Sequence, residues 1–285
     1  MRSVVSSGDE RSIRSTVHPV PDRSRYPIGG PVDHRLQGQQ CSGVLVQSSN
    51  GPRSQTVRRA CKGNACMSVL ETRATQRMAS RLQSGEAGCE DVQSIINIAA
   101  TAEAFAVTAL GGAIDYAING LLPLTDEAIQ SLVAARATEQ IHYDFLVAAG
   151  AEPLTLTFTI PDETILTDPA TFFPTLIELE EVFIAAYIAA AQQFAILGEP
   201  DLAEIALQIG AVEAEHRVGV RFFAIEAGVL TGVPNDVAFE KALFATVAEA
   251  ADLLTELGFI GGTGIVVEYP GPGVIDTTGL TQLEP

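Results

Sequence analysis

From Asp91 to Leu230 the chain is written as four long runs of Ala, Ile, Leu, Val and Glu, stopped by Gly or Pro, with links that are short, long and short. That order restricts the fold more than any other feature. A short link forces two helices to lie side by side in opposite senses, whereas a long one lets the chain cross over before the next pair begins. A fold of class all-α follows: a four-helix bundle with one long crossover between its second and third helices.

Each run carries its own signals. The first, from about Asp91 to Asn119, places Ile96, Ala99, Val107, Leu110 and Ile114 on a helical stripe and ends at Gly120 and Pro123. The second starts after Thr125, a good N-cap, with Asp126 and Glu127 placed favourably in its first turn, and stops at Gly150. Residues 150–173 read as an ordered crossover; Leu154 to Ile160 has strand character but no obvious partner. The third run is expected to start at Pro174 and reach about Leu197, the fourth to run from about Asp201 to Leu230. A fifth, extra C-terminal helix is expected from Asn235 to Leu257, and the Gly/Pro-punctuated residues 261–285 as an extended tail. The runs Ile98–Ile118 and Val182–Ala191 are apolar, but Glu103 and Asp115 interrupt the first, and the second is far short of the roughly 20 residues a span needs. Both read as buried helices rather than membrane spans.

Charge divides the chain near residue 90. The full sequence carries a net −18, which excludes a general nucleic-acid binder and disfavours anionic lipid. Residues 1–90 hold 13 Lys+Arg against 7 Asp+Glu; residues 91–285 hold 4 against 28. Residues 1–90 are rich in Arg, Ser and Pro, show no sustained period, and are expected to be disordered. They lack the apolar core of a secretory signal. The composition suits an organelle transit segment, a start assigned upstream of Met67 or Met78, or more weakly a nucleic-acid tail. Localisation is accordingly read as cytoplasmic, or as an organelle if residues 1–90 direct import. Cys41, Cys61, Cys66 and Cys89 all fall in this part with no zinc-ligand spacing, and read as cysteines of an unstructured tail. Residues 91–260 are expected to form the helical domain.

The acidic part has two histidines, and each follows a glutamate by three residues: Glu139 and His142 in "EQIH", Glu213 and His216 in "EAEH". Such pairs project from one helix face. With Glu at about one residue in eleven, both coincidences together arise by chance on the order of once in a hundred. The other two long helices each offer a lone carboxylate in an apolar stripe: Glu103 in the first, and Glu180 in the third, with Glu181 its rival. A buried carboxylate is costly unless it is paired or metal-bound, and neither of those two helices has an Arg or Lys to pair with it. One Glu from each of two helices, with Glu-x-x-His from each of the other two, is the pattern of di-iron and di-manganese carboxylate bundles. Carboxylate and imidazole ligands suit iron or manganese, and the absence of thiolates counts against structural zinc.

With "ATAEAF", "EQIHYDFLVAAGAEP", "LEEVFIAAYIAAA" and "VEAEHR" in place, residues 91–230 resemble the ferritin-like superfamily. They look most like the desiccation- and stress-associated ferritin-like domain proteins of bacteria, fungi and plants. The resemblance favours Glu180 over Glu181, with Ala186 and Tyr187 matching an Ala-Tyr that follows the ligand Glu. It implies a stress-protective protein with two iron ions per chain, manganese being the alternative, held by Glu103, Glu139, His142, Glu180, Glu213 and His216. The activity expected is oxidation of Fe(II) or reduction of O₂ or peroxide. The alternative is a structural stress protein without turnover. The partners implied are metal ions and O₂ or peroxide, with no nucleic acid and no membrane span; a homodimer is compatible with the pattern.

Overall fold

The computed structural model describes residues 89–271, 275 and 277–285. The expectations for residues 1–88 lie outside them. Among the described residues there are six helices and one small sheet. The order is α1 (Val92–Ile118), α2 (Asp126–Ala148), β1 (Thr157–Ile160), α3 (Thr164–Thr167), α4 (Pro169–Leu197), α5 (Pro200–Glu226), α6 (Ala248–Glu256) and β2 (Ile265–Glu268). The described residues are therefore mostly helical. α1 packs along α2, and α4 along α5; α1 meets α4, and α2 meets α5, more sparsely. α6 lies against α1 and α4.

The helix starts follow their caps. Asp91 Oδ1 accepts from the Ser94 amide at 2.8 Å, and Thr125 Oγ1 from the Ala128 amide at 3.2 Å. α4 begins five residues before the start expected at Pro174. Asp168 caps it through the Ala170 amide at 3.1 Å, and Pro169 takes the first turn, which leaves Pro174 inside the helix. The stretch "DPATFFP" holds two prolines that could each start a helix, and only the first has a capping carboxylate immediately before it.

The fifth helix is much shorter than the expected Asn235–Leu257. Residues 231–247 are irregular, and ion pairs tie them down. Arg217 on α5 holds Glu240 with two bonds of 2.6 and 2.7 Å, Arg221 holds Asp236 at 2.6 Å, and Lys241 pairs with Glu181 on α4. Adjacent residues 240 and 241 thus reach different helices, and this tertiary pull overrides the helical propensity of "AFEKALFATVAEA". α6 then starts without a cap of its own. Glu90, counted by composition with the N-terminal segment, supplies one: its carboxylate accepts from the amides of Val247 at 2.6 Å and Ala248 at 2.8 Å. Cys89, the one described cysteine, is disulfide-bonded.

The strand character of the crossover finds its partner in the tail. β1 pairs antiparallel with β2, Thr157 opposite Glu268 and Ile160 opposite Ile265. Gly264 makes this join, because a Cβ there would sit 2.2 Å from the Ile160 carbonyl oxygen. Phe158 of β1 packs against Phe105 at 5.5 Å between centroids, and Phe259 packs on Phe105 at 5.1 Å. α1 is long and apolar enough by length and composition to cross a bilayer, but 67% of its most apolar window is buried against the rest of the protein.

The core has two apolar parts. One gathers Ile95, Phe105, Tyr143, Phe183, Ile209 and their neighbours; the other gathers Leu110, Ile114, Leu132, Phe173, Val220 and theirs. On α2 and α5 the boundary between them falls at residues 133–142 and 210–219. Glu139, His142, Glu213 and His216 occupy those stretches.

Candidate metal centre

Four helices each bring one carboxylate to a common level. Glu103 lies eleven residues into α1, and with the helix start at Pro169 Glu180 lies eleven into α4, about 16 Å along each axis. All four carboxylates are buried: Glu103, Glu139, Glu180 and Glu213 expose 1–3% of their surface. The histidines follow from the i, i+3 spacing, which turns each ring to the face its glutamate occupies.

The six residues form two overlapping groups, each with ligand atoms within 4.8 Å of one another. Glu103, Glu139, His142 and Glu213 make one; Glu139, Glu180, Glu213 and His216 make the other. Glu139 and Glu213 belong to both. His142 Nδ1 stands 3.5 Å from Glu103, 3.5 Å from Glu139 and 3.6 Å from Glu213. His216 Nδ1 stands 2.9 Å from Glu139 and 3.4 Å from Glu213. These are ion-pair distances without hydrogen-bond alignment. Both oxygens of Glu139 and of Glu213, one of Glu180, and both Nδ1 atoms are buried with no hydrogen-bond partner.

Electrostatics explain why such a cluster needs positive charge. Burial pushes Glu103 well above its ordinary 4.5, and Glu139 and Glu213 push the same way. Burial raises Glu180 too; His216 pulls it back, and Glu213 and Glu139 push it up. Burial also opposes the charge of Glu139, but His216 and His142 outweigh it and hold that carboxyl well below 4.5. For both imidazoles burial disfavours the cation, yet the facing carboxylates keep them well above 6.5. None of the four basic side chains of residues 91–285 compensates. Arg136 bonds the Val107 carbonyl at 3.2 Å, Arg217 and Arg221 hold Glu240 and Asp236, and Lys241 pairs with Glu181. Buried, orphaned carboxylate oxygens and imidazole nitrogens are the donor set of a cation site, and this cluster could hold a metal ion.

The structure brings together the two Glu-x-x-His pairs and the two stripe carboxylates, Glu103 and Glu180. Glu181, the rival of Glu180, turns away to Lys241. Tyr187 donates to Glu103, and burial, then Glu103, raise its phenol well above 10.0. Gly210 on α5 makes room there, since a Cβ would stand 3.0 Å from Tyr187 Cβ. Tyr143 lies against Tyr269, with ring centroids 4.7 Å apart and planes tilted by 45°.

Sequence reasoning missed Thr138. Its hydroxyl donates to the Ala135 carbonyl at 2.7 Å, so it accepts from His216 Nε2–H at 2.8 Å. In the neutral ring that bond leaves the lone pair on Nδ1, facing Glu139 and Glu213. The only available signal was a hydroxyl directly before the "EQIH" motif, and nothing in the spacing says it reaches another helix. The chain matches no protein-family model, no curated protein and no solved structure.

Proposed function

We propose that α1, α2, α4 and α5 form a ferritin-like four-helix bundle that holds two metal ions, iron first and manganese as the alternative. The observation that carries this reading is the set of buried carboxylate oxygens and Nδ1 atoms with no hydrogen-bond partner and, among the described residues, no compensating Arg or Lys. Glu103, Glu139, His142 and Glu213 would hold one ion, and Glu139, Glu180, Glu213 and His216 the other. Four carboxylates offset the charge of two divalent ions, which leaves the ions as the neutralising groups the cluster lacks. A bound pair supplies Lewis acidity and one-electron steps toward O₂ or peroxide. The chain's part is to exclude water from the carboxylates, to orient His216 through Thr138, and to hold a proton on the Tyr187 hydroxyl against Glu103.

Metal-free protein titrated with Fe(II) or Mn(II) under argon should take up about two ions per chain, and Mg(II) should bind far more weakly. The Fe(II)-loaded protein should then consume O₂. Two bound ions without O₂ uptake would leave a non-catalytic metal-binding protein. No uptake of either metal would end the di-metal reading.

A further inference from the structure

Among the described residues, the cluster is most exposed on its histidine side. The His142 and His216 side chains are 12% and 9% exposed, against 1–3% for the carboxylates. Both histidines open on a cleft of about 1090 Å³ between α2 and α5, whose outer wall is the segment 279–285. The sparse contact between α2 and α5 makes this gap. Its walls are chiefly apolar, with Leu132, Ile141 and Phe145 from α2 and Ile205, Ile209 and Val212 from α5. A second cavity, between α1, α4 and α6, is far smaller, about 30 Å³.

Size separates the candidate occupants. O₂ and peroxide are close to water in bulk, and one water takes about 30 Å³ of liquid. A cleft tens of times larger is far more than their passage needs, and lies at the top of the range that encloses an organic ligand, about 300–1,000 Å³. Charge narrows the choice further. Among the described residues no Lys or Arg lines the cleft, whereas Asp144, Glu180, Glu215 and Glu284 do, so away from the histidine face an organic anion would meet like charge along the walls.

We infer that this cleft binds an uncharged organic molecule with an apolar body, one end against the His142–His216 face, as the substrate of the metal pair. The inference rests on the di-metal reading, so metal content and binding are to be read separately on the same samples. The probe is N-phenylnaphthylamine, neutral and fluorescent in apolar surroundings, added to the full chain loaded with Mn(II). Two substitutions fill the cleft from opposite walls: Ala134→Trp on α2 and Ala211→Trp on α5, both at least partly exposed positions.

The expected result is saturable binding to the unaltered chain, weakened at least tenfold in each variant, with helix content and metal content unchanged. Dodecanol should displace the probe at least tenfold more effectively than dodecanoate. Should one variant fail to fold, the other decides. Binding undiminished by cleft filling, equal displacement by dodecanoate, or no saturable binding to a chain that holds its metal would overturn the inference and leave the di-metal reading intact. Cleft binding by a chain that takes up no metal would overturn the di-metal reading, and with it the substrate role.

Discussion

At the scale of single residues, the site turns on which of two adjacent carboxylates faces inward. Glu180 is buried in the cluster, and Glu181 pairs with Lys241 near the surface. Sequence periodicity supported both, because Leu176, Phe183 and Tyr187 lie on one stripe of that helix and Ile177, Ile184 and Ile188 on the next. A turn of about 100° per residue separates the two roles. Glu180→Ala should lower bound metal from about two ions toward one or none, while Glu181→Ala leaves it unchanged. Elemental analysis of the purified variants decides this, and the reverse pattern would place α4 in a different rotation. Thr138 is a positioning residue rather than a ligand. Thr138→Val removes the acceptor for His216 Nε2–H, and loss of such a partner weakens metal binding by about 10–100-fold. Mn(II) titration calorimetry should show that loss, with most of it restored in Thr138→Ser. Equal affinity in the valine variant would mean that the bond does not orient the ring.

At the scale of elements, the long helices were legible and their surroundings were not. Four apolar runs with good caps follow from local chemistry, so α1 and α2 lie within about a residue of where the pattern puts them. α4 was placed late because a proline suits a first turn wherever it stands, and only the Asp168 cap picks between two prolines. The β1–β2 pairing joins segments over a hundred residues apart, and no local pattern states which strand meets which. α6 illustrates the same limit: its cap comes from Glu90, 157 residues away in sequence. Glu90→Ala should cost about 0.5–2 kcal/mol, the usual worth of an N-cap. Denaturant unfolding followed by far-ultraviolet dichroism measures it, with the loss appearing in the midpoint rather than the slope. An unchanged midpoint would show that Glu90 contributes nothing to holding α6.

At the scale of the whole molecule, the buried cluster should make stability depend on pH in opposite ways with and without metal. Glu103, Glu180, His142 and His216 all bind protons more tightly folded than unfolded. The folded chain therefore carries the extra protons above their ordinary values, and stability falls as pH rises through that window. Glu139, held low, adds stability above 4.5 that is lost only as pH falls below it. The melting temperature of metal-free protein should thus drop between about pH 5 and about pH 8. Metal-loaded protein should gain over the same range, because the ions require deprotonated ligands and bind the folded state alone. Scanning calorimetry of both forms tests this, and parallel curves would argue against a metal-binding cluster. By itself the sequence determined the helical class, the order of short and long links, and the two Glu-x-x-His pairs, because caps, periodicity and i, i+3 spacing act within one or two turns. Only the tertiary structure decided that Glu180 rather than Glu181 faces the cluster, that Thr138 holds His216, and that residues 231–247 give up their helix to ion pairs. It alone opened the cleft beside the histidines. Each of these depends on the distance and rotation between helices, which burial and charge pairing across the whole chain set and no local stretch encodes.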